Sequence, residues 1–132
     1  MQLGVVGLGR MGANIVRRLH RAGHQCVVYD RDPKPGEALA KDGAVNVGDL
    51  KEMVAKLEAP RAIWIMLPAG EITEKTLADL AAMMSPGDTL IDGGNAFWKD
   101  DVRRGRELEA KGLHYLDIGT SGGVHGLDRG YC

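Results

Sequence analysis

The sequence predicts an α/β fold of the doubly wound type, with a mostly parallel sheet of about six strands and helices on both faces. Short apolar stretches alternate with amphipathic helical stretches along the whole chain. The first apolar stretch ends at the pattern Gly7-x-Gly9-x-x-Gly12, where a helical pattern begins at once. A later stretch, Ala62 to Leu67, is apolar at every position, which is typical of a parallel strand covered on both faces. At 132 residues, these features predict one domain.

The first half of the chain contains helix ends that the sequence marks clearly. The helix after the glycine pattern has a basic last turn and ends at Gly23, which suits the position following a helix. The second strand, Gln25 to Asp30, ends on a carboxylate, and Asp32-Pro33 supplies the N-cap and first-turn proline of the next helix. That helix ends near Gly43, before a short strand at Ala44 to Asn46.

The second half of the chain continues the alternation of helices and strands. Asp49-x-x-Glu52 resembles a capping box at the start of a third helix. The fourth helix, Thr73 to Met84, is expected to bury one face, made by Ile72, Thr76, Leu77 and Leu80. The remaining elements are a strand at Thr89 to Asp92, a helix that opens at Asp100-Asp101 and closes at Gly112, and a strand at His114 to Ile118.

Five loops that carry small or polar residues follow predicted strands. The carboxyl ends of parallel strands meet at one edge of a sheet, and ligands of such sheets bind there, at the switch in strand order. The loops are Gly7-Leu8-Gly9, Asp30-Arg31-Asp32, Leu67-Pro68-Ala69-Gly70, Asp92-Gly93-Gly94-Asn95 and Gly119-Thr120-Ser121-Gly122-Gly123. The sequence therefore predicts one ligand site at this edge.

The three glycines of the first loop have separate tasks in a dinucleotide-binding unit. Gly7 permits the tight turn that leaves the strand, Gly9 lets the backbone approach a pyrophosphate, and Gly12 lets the helix pack closely on the strand. The helix N-terminus then offers free N–H groups and the positive end of its dipole to the phosphates. The first loop therefore predicts a dinucleotide-binding βαβ unit.

The residues after the second strand bear on the choice between NAD and NADP. Asp30 follows Gly9 by about 20 residues, where a carboxylate accepts hydrogen bonds from the adenosine ribose and repels a 2′-phosphate. Arg31 has the opposite effect, because a guanidinium could hold that phosphate. Asp32 adds negative charge, although its side chain can instead cap the helix. We favour NAD and leave NADP open.

The two later loops supply groups for a polar ligand. Asp92-Gly93-Gly94-Asn95 exposes backbone amides, and Asn95 adds a donor and an acceptor. Ser121-Gly122-Gly123 offers a hydroxyl and bare amides to an anionic or polyhydroxylated substrate. Hydride removal from an alcohol also needs a general base, and neither Lys99 nor His125 has a clear claim to that task. We therefore assign no catalytic residue in this chain, which resembles the cofactor-binding half of an enzyme.

Composition argues against several other function classes. The net charge of −1 gives no basic surface for nucleic acid or an anionic membrane. No apolar run is long enough to span a bilayer, and no signal peptide is visible. Cys26 and Cys132 show no metal or disulfide pattern, and the four histidines form no ligand-spaced cluster. We therefore expect no metal site and a cytoplasmic location.

Three motifs together resemble the decarboxylating 6-phosphogluconate dehydrogenases of the β-hydroxyacid dehydrogenase superfamily. They are Gly7-Leu8-Gly9-Arg10-Met11-Gly12, Asp92-Gly93-Gly94-Asn95 and Ser121-Gly122-Gly123. The glycine pattern is shared across the superfamily. The Asp-Gly-Gly-Asn stretch discriminates, since hydroxyisobutyrate-type relatives resemble Asp-x-Ser-Thr there. The resemblance covers all 132 residues and implies a Rossmann-type fold.

The resemblance also implies a reaction and its contacts. The reaction is oxidation of 6-phosphogluconate by hydride transfer to NAD or NADP, then loss of CO2 to give ribulose 5-phosphate, a step of the pentose phosphate pathway. The implied cofactor contacts are Gly7, Leu8, Gly9, Arg10, Met11, Gly12, Asp30, Arg31, Asp32, Leu67, Pro68, Ala69 and Asn95. The implied substrate contacts are Asn95, Ser121, Gly122 and Gly123.

By the same resemblance, residues 1–132 are the dinucleotide-binding domain of a homo-oligomeric enzyme. Its catalytic Lys and Glu are expected on a helix further along, followed by a large all-helical domain, and this chain contains neither. NADP-using members carry Asn-Arg-Ser/Thr where this chain has Asp30-Arg31-Asp32, so the resemblance again favours NAD. Two alternatives stay open: a domain of a hydroxyisobutyrate-type dehydrogenase, and a nucleotide-binding module without catalysis.

Overall fold

The computed structural model describes residues 1–132 and contains one six-stranded sheet flanked by helices. The strands are β1 (Gln2–Val6), β2 (Gln25–Tyr29), β3 (Val45–Asn46), β4 (Ala62–Ile65), β5 (Thr89–Asp92) and β6 (His114–Asp117). The helices are α1 (Arg10–Arg21), α2 (Pro33–Lys41), α3 (Leu50–Lys56), α4 (Glu71–Met83), α5 (Trp98–Glu109) and α6 (Gly126–Arg129), with a 3-10 turn at Gly123–His125.

The strands lie in the order β3-β2-β1-β4-β5-β6, and every neighbouring pair is parallel. The chain therefore runs outward from β1 to β3, returns to the other side of β1, and continues outward to β6. That reversal, between β1 and β4, is the topological switch point of a Rossmann-type sheet. The predicted doubly wound fold is confirmed, and the sheet is wholly rather than mostly parallel.

The register of the sheet brings the strand ends to one level. Val6 pairs with Tyr29 on one side and with Ile65 on the other. Asp92 in turn pairs with Ile65 and with Asp117. The five loops that follow these residues therefore leave the sheet at the same edge, as predicted.

Apolar side chains cover both faces of the sheet. One face carries α1 and α2, and its buried cluster includes Val5, Val16, Val28 and Leu39. The other face carries α3, α4 and α5, and its cluster includes Met53, Ile63, Leu80, Leu90 and Leu108. Full burial of one such side chain stabilises the fold by about 1.5–3 kcal/mol. The two clusters thus hold the sheet rigid beneath the loops.

The buried face of α4 differs from the prediction. Ile72, expected in the core, is 42% exposed, whereas Thr73 is 1% exposed. Gly70 has a φ of 112°, and the helix begins directly after it, at Glu71. The Thr73 hydroxyl donates to the Pro68 carbonyl at 2.8 Å, which fixes the first turn. The buried face of α4 therefore begins at Thr73 instead of Ile72. Hydrophobic periodicity does not encode the local geometry that causes this difference.

Two segments near the C-terminus also differ from the prediction. α5 begins at Trp98, although Asp100 and Asp101 do place their charges in its first turn, where the helix dipole favours them. After β6 the chain forms the short helix α6, which has no periodic signal in the sequence. Arg18 of α1 donates to the Leu127 carbonyl of α6 at 3.2 Å. No helix in the structure combines the length and apolar character that crossing a membrane requires.

Candidate functional site

Gly7 and Gly12 are required by contacts within the protein itself. Gly7 has a φ of 90°, and a Cβ there would collide with the Met66 carbonyl. A Cβ at Gly12 would collide with the Gly7 carbonyl. The first glycine therefore makes the turn out of β1, and the second lets α1 approach the end of that strand.

Gly9 has no such requirement. A Cβ at Gly9 would meet no atom within 4 Å, and its φ of −61° is one that any residue adopts. The residue lines a crevice at the strand ends. A position without a Cβ here permits the close approach of a ligand to the backbone.

The N-terminus of α1 opens toward this loop without a side-chain cap. The Ala13 N–H donates to the Gly9 carbonyl at 2.9 Å and closes the first turn of the helix. The N–H groups of Arg10, Met11 and Gly12 precede that bond, so they have no carbonyl partner within the helix. A bare, dipole-positive helix end of this kind binds anions such as a diphosphate.

Four of the five predicted loops line one crevice of about 790 Å³. It lies at the switch point, because residues that follow β1 and residues that follow β4 face each other across it. Its volume is that of a small-molecule site, about 300–1,000 Å³. The lining residues are Gly9, Met11, Gly12, Met66, Leu67, Pro68, Gly93, Gly94, Asn95, Gly119, Thr120, Ser121 and Cys132.

Other predicted site residues lie outside this lining. They are Gly7, Leu8, Arg10, Asp30, Arg31, Asp32, Ala69, Gly122 and Gly123. Most of them adjoin lining residues in the same loops. The segment Asp30 to Asp32 is different, because it follows β2 and lies on the far side of β1 from the β4 loop. A ligand that reached both would extend across the end of β1.

Asp30 is hydrogen-bonded to the glycine loop, which the sequence did not indicate. Its Oδ2 accepts the Leu8 N–H at 2.7 Å, and its Oδ1 accepts the Asp32 N–H at 2.8 Å. Each carboxylate oxygen keeps a further lone pair for a ligand hydroxyl. Asp32 has a separate task as the N-cap of α2, where its side chain accepts the Lys34 N–H at 3.1 Å. Arg31 is exposed and makes no ion pair.

Ser121 is already hydrogen-bonded within the chain. Its N–H donates to the Cys132 carbonyl at 2.7 Å, and the Cys132 N–H donates back to the Ser121 carbonyl at 3.1 Å. The Ser121 hydroxyl lies 3.3 Å from the same Cys132 carbonyl oxygen. The expectation of a bare amide therefore applies to Gly122 and Gly123 rather than to Ser121.

Arg104 is a residue near the site that sequence reasoning missed. It lies on α5 and is only 3% exposed, and its Nη1 donates to Oδ2 of Asp92 at 3.2 Å. Asp92, 1% exposed, uses its other oxygen to accept the Gly94 N–H at 2.8 Å. The spacing of Arg104 and Leu108 places both residues on one face of the helix, which indicates its buried side but not the partners of Arg104.

The guanidinium of Arg104 is shared by three carboxylates. Besides Asp92, it donates to Asp101 at 3.2 Å and to Glu74 through Nε at 2.8 Å. Burial raises the pKa of Asp92, although the Gly94 N–H and the charge of Arg104 act in the opposite direction. For Glu74 desolvation is the opposing effect, and hydrogen bonds from arginines lower its pKa. The loop after β5 thus rests on a buried ionic network.

The crevice holds no candidate for a general base. No Lys, His, Tyr, Asp or Glu is among its lining residues. Lys99 lies over the Trp98 ring, with Nζ 5.6 Å from the ring centroid, and His125 is exposed in the 3-10 turn. No group of three or more His, Cys, Asp or Glu side chains is arranged to hold a metal ion.

The parallel sheet, the glycine loop at its switch point and the bare N-terminus of α1 define a dinucleotide-binding domain of the Rossmann type. Comparison with protein families is more specific. The model of the NAD-binding domain of 6-phosphogluconate dehydrogenase matches residues 2–132. The chain belongs to this family.

Individual relatives cover nearly the whole chain. It is 41% identical over 131 residues to an NAD(+)-dependent, decarboxylating 6-phosphogluconate dehydrogenase of Haloferax volcanii, covering 99% of this chain and 43% of that protein. The chain therefore spans less than half the length of this relative.

Two solved structures have the same fold. One is Plasmodium falciparum 6-phosphogluconate dehydrogenase, described with its cofactor NADP+ and its substrate 6-phosphogluconate. It superposes with a TM-score of 0.92 at 26% identity, covering 99% of this chain and 29% of that one. The other is Mycobacterium tuberculosis 3-hydroxyisobutyrate dehydrogenase, with a TM-score of 0.85 at 30% identity, covering 95% of this chain and 42% of that one. The relatives thus include one named for NAD(+) and one solved with NADP+ as its cofactor.

Proposed function

We propose that this chain is the NAD-binding part of an oxidoreductase that oxidises and decarboxylates 6-phosphogluconate to ribulose 5-phosphate. The observation that carries the proposal is the crevice at the switch point, lined both by Gly9 at the open end of α1 and by Asn95. The name of the Haloferax relative, which specifies NAD(+) and decarboxylation, supports the same reaction.

The residues present fit a dinucleotide laid across the end of β1. The N–H groups at the start of α1 would bind the diphosphate, with Gly9 giving it room. On the β2 side, Asp30 would accept hydrogen bonds from the adenosine ribose. On the β4 side, the nicotinamide half would lie beside Leu67, Pro68 and Ala69 and reach Asn95.

In this proposal the chain binds cofactor and substrate, and it does not supply the acid–base catalysis. The bound cofactor supplies the hydride acceptor. Asn95 would orient both nicotinamide and substrate, while Ser121, Gly122 and Gly123 would hold the sugar acid. Because no Lys, His, Tyr, Asp or Glu lines the crevice, we propose that the general base and acid belong to a further, helical part of the protein.

NAD is the preferred cofactor in this proposal. The Asp30 carboxylate is held in place by two backbone N–H groups, those of Leu8 and Asp32. A fixed negative charge there disfavours the dianionic 2′-phosphate of NADP. Arg31, the next residue in the chain, favours NADP, but it is exposed and so contributes little in water.

Calorimetric titration and an assay of turnover test the proposal together. The 132-residue chain should bind NAD more tightly than NADP and should form no NADH with 6-phosphogluconate. The full-length protein should form NADH and CO2 from the same substrate. Failure of the chain to bind either dinucleotide would contradict the proposed function. Steady turnover by the chain alone would contradict the proposal that the general base and acid lie outside these residues.

A second candidate substrate class is a short hydroxy acid such as hydroxyisobutyrate. The similarity to the mycobacterial 3-hydroxyisobutyrate dehydrogenase favours it. The Asp92-Gly93-Gly94-Asn95 stretch favours the sugar acid through Asn95, whose side-chain amide offers a donor and an acceptor to a polyhydroxylated ligand. The Gly93 and Gly94 N–H groups, which the sequence left free, instead donate to the Ile65 carbonyl and to Asp92. Rates of the full-length protein on both substrates decide between them.

A further inference from the structure

We propose that Arg104 is a positioning residue for the nicotinamide half of the site and acts through Asp92 on the loop that carries Asn95. This inference rests on the proposed dinucleotide function. It concerns a side chain that does not reach the crevice and that no sequence motif marks.

The contacts form a continuous path from α5 to the crevice. Arg104 donates to one oxygen of Asp92 at 3.2 Å, and the other oxygen accepts the Gly94 N–H at 2.8 Å. The next residue is Asn95, which lines the crevice. The Asn95 side chain is exposed and makes no hydrogen bond within the protein, so a shift of its backbone shifts the side chain with it.

The loop has little freedom to compensate for a change at Asp92. A Cβ at Gly94 would lie 2.8 Å from the Leu67 carbonyl oxygen and 3.0 Å from Oδ1 of Asp92. A Cβ at Gly93 would collide with the indole of Trp64. The loop is therefore packed tightly between the end of β4 and the Asp92 carboxylate. Because the Gly94 N–H is hydrogen-bonded to that carboxylate, we expect rotation of the carboxylate to move the Gly94 amide with it.

Arg104 decides which way the carboxylate faces. Asp92 is 1% exposed, and the guanidinium of Arg104 donates directly to it, whereas the neighbouring Tyr115 hydroxyl donates to Asp101. Without the guanidinium, a buried carboxylate would keep one backbone donor and would rotate or take up a proton. In both cases the Gly94 hydrogen bond changes and Asn95 loses its fixed place.

Arg103 provides a matched control on the same helix. It donates to Glu74 at 2.6 Å, as Arg104 does, and also to Glu107 at 3.2 Å. It makes no contact with Asp92, and its side chain is 47% exposed. Arg103→Gln therefore removes one arginine from α5 while leaving the path to Asn95 intact.

The test compares NAD with ADP, which carries the adenosine and diphosphate but no nicotinamide. Calorimetric titration of the Arg104→Gln chain should show NAD affinity reduced about fivefold or more, with ADP affinity within about twofold of the unsubstituted chain. Arg103→Gln should change neither. Equal losses for NAD and ADP, or no loss for NAD, would overturn the positioning role of Arg104.

Two further variants keep the test decisive. If Arg104→Gln does not fold, Arg104→Lys retains the charge but cannot bridge the same carboxylates, and it should show the same selective loss of NAD affinity. Asn95→Ala should weaken NAD binding, and adding Arg104→Gln to it should cost little more if the arginine acts through Asn95. Additive losses of NAD affinity in the double variant would contradict that path.

Absence of binding of both ligands to the unsubstituted chain would instead refute the proposed function and the inference with it.

Discussion

The glycines of the first loop are of two physical kinds. Gly7 and Gly12 are glycines because a Cβ would collide with neighbouring backbone carbonyls. Gly9 is surrounded by open space and has an ordinary backbone conformation. The first two therefore serve the fold, and the third is available to a ligand.

This difference predicts opposite outcomes for two alanine substitutions. Gly12→Ala should destabilise the chain by about 1–3 kcal/mol, because the added methyl group overpacks the contact between α1 and β1. Gly9→Ala should change the free energy of unfolding by less than about 1 kcal/mol and should weaken NAD binding. Urea denaturation and calorimetry measure the two effects. A Gly9→Ala chain that bound NAD unchanged would argue against contact between this residue and the diphosphate.

Asp30 and Asp32 form a matched pair of neighbouring carboxylates. Asp30→Ser should lower the ratio of the NADP to the NAD dissociation constants by about tenfold, because it removes the negative charge beside the 2′ position. Asp32→Ser keeps a residue that can cap α2, and it should leave the ratio nearly unchanged. An unchanged ratio in Asp30→Ser would count against a ribose contact for this residue.

At the scale of elements, buried carboxylates anchor both ends of β5. Asp92 lies at the carboxyl end of the strand, under the candidate site. Asp88 precedes the amino end, where it accepts the N–H groups of Arg61 at 2.6 Å and Ser85 at 2.9 Å. Although desolvation opposes the shift, these hydrogen bonds and the Arg61 guanidinium lower the pKa of Asp88. Its charged form is therefore the one that stabilises the fold.

Asp88→Asn should destabilise the chain at neutral pH by about 2–3 kcal/mol, because the amide cannot accept all of these donors. Since the pKa of Asp88 is lower in the folded state, its contribution is complete above the unfolded value, about 4, and is lost as the pH falls further. The difference in unfolding free energy between the two chains should therefore shrink below about pH 4. The exposed Asp79, paired with Lys75, is the control, and Asp79→Asn should cost far less than Asp88→Asn because water screens this pair. A pH-independent difference would contradict the assigned charge state.

The sequence predicted the helices and strands well where apolar patterns or helix caps determine them. Alternating apolar stretches located all six strands, and the Asp49 cap of α3 is present, with its carboxylate accepting the Glu52 N–H at 2.7 Å. The start of α4 was wrong because the positive φ of Gly70 and the Thr73 hydrogen bond set its entry. α6 was missed because a helix of four residues has no period to detect.

At the scale of the whole molecule, strand register explains why distant loops meet. Val6, Tyr29, Ile65, Asp92 and Asp117 lie in one row across the sheet. The sequence could predict this convergence, because parallel strands in a doubly wound sheet must end at one edge. It could not predict the network around Arg104, since pairing of buried charges depends on depth and on which helix face meets which strand.

The most direct measurement is an NMR titration of the 132-residue chain with NAD, followed through the backbone amide shifts. The largest changes are expected at residues 7–12, 66–69 and 93–95, which follow β1, β4 and β5 at the crevice. Amides at the opposite edge, such as Gly87 and Gly112, should barely move. Saturating NAD without shifts at the strand ends, or with shifts confined to the opposite edge, would contradict a dinucleotide site at the switch point.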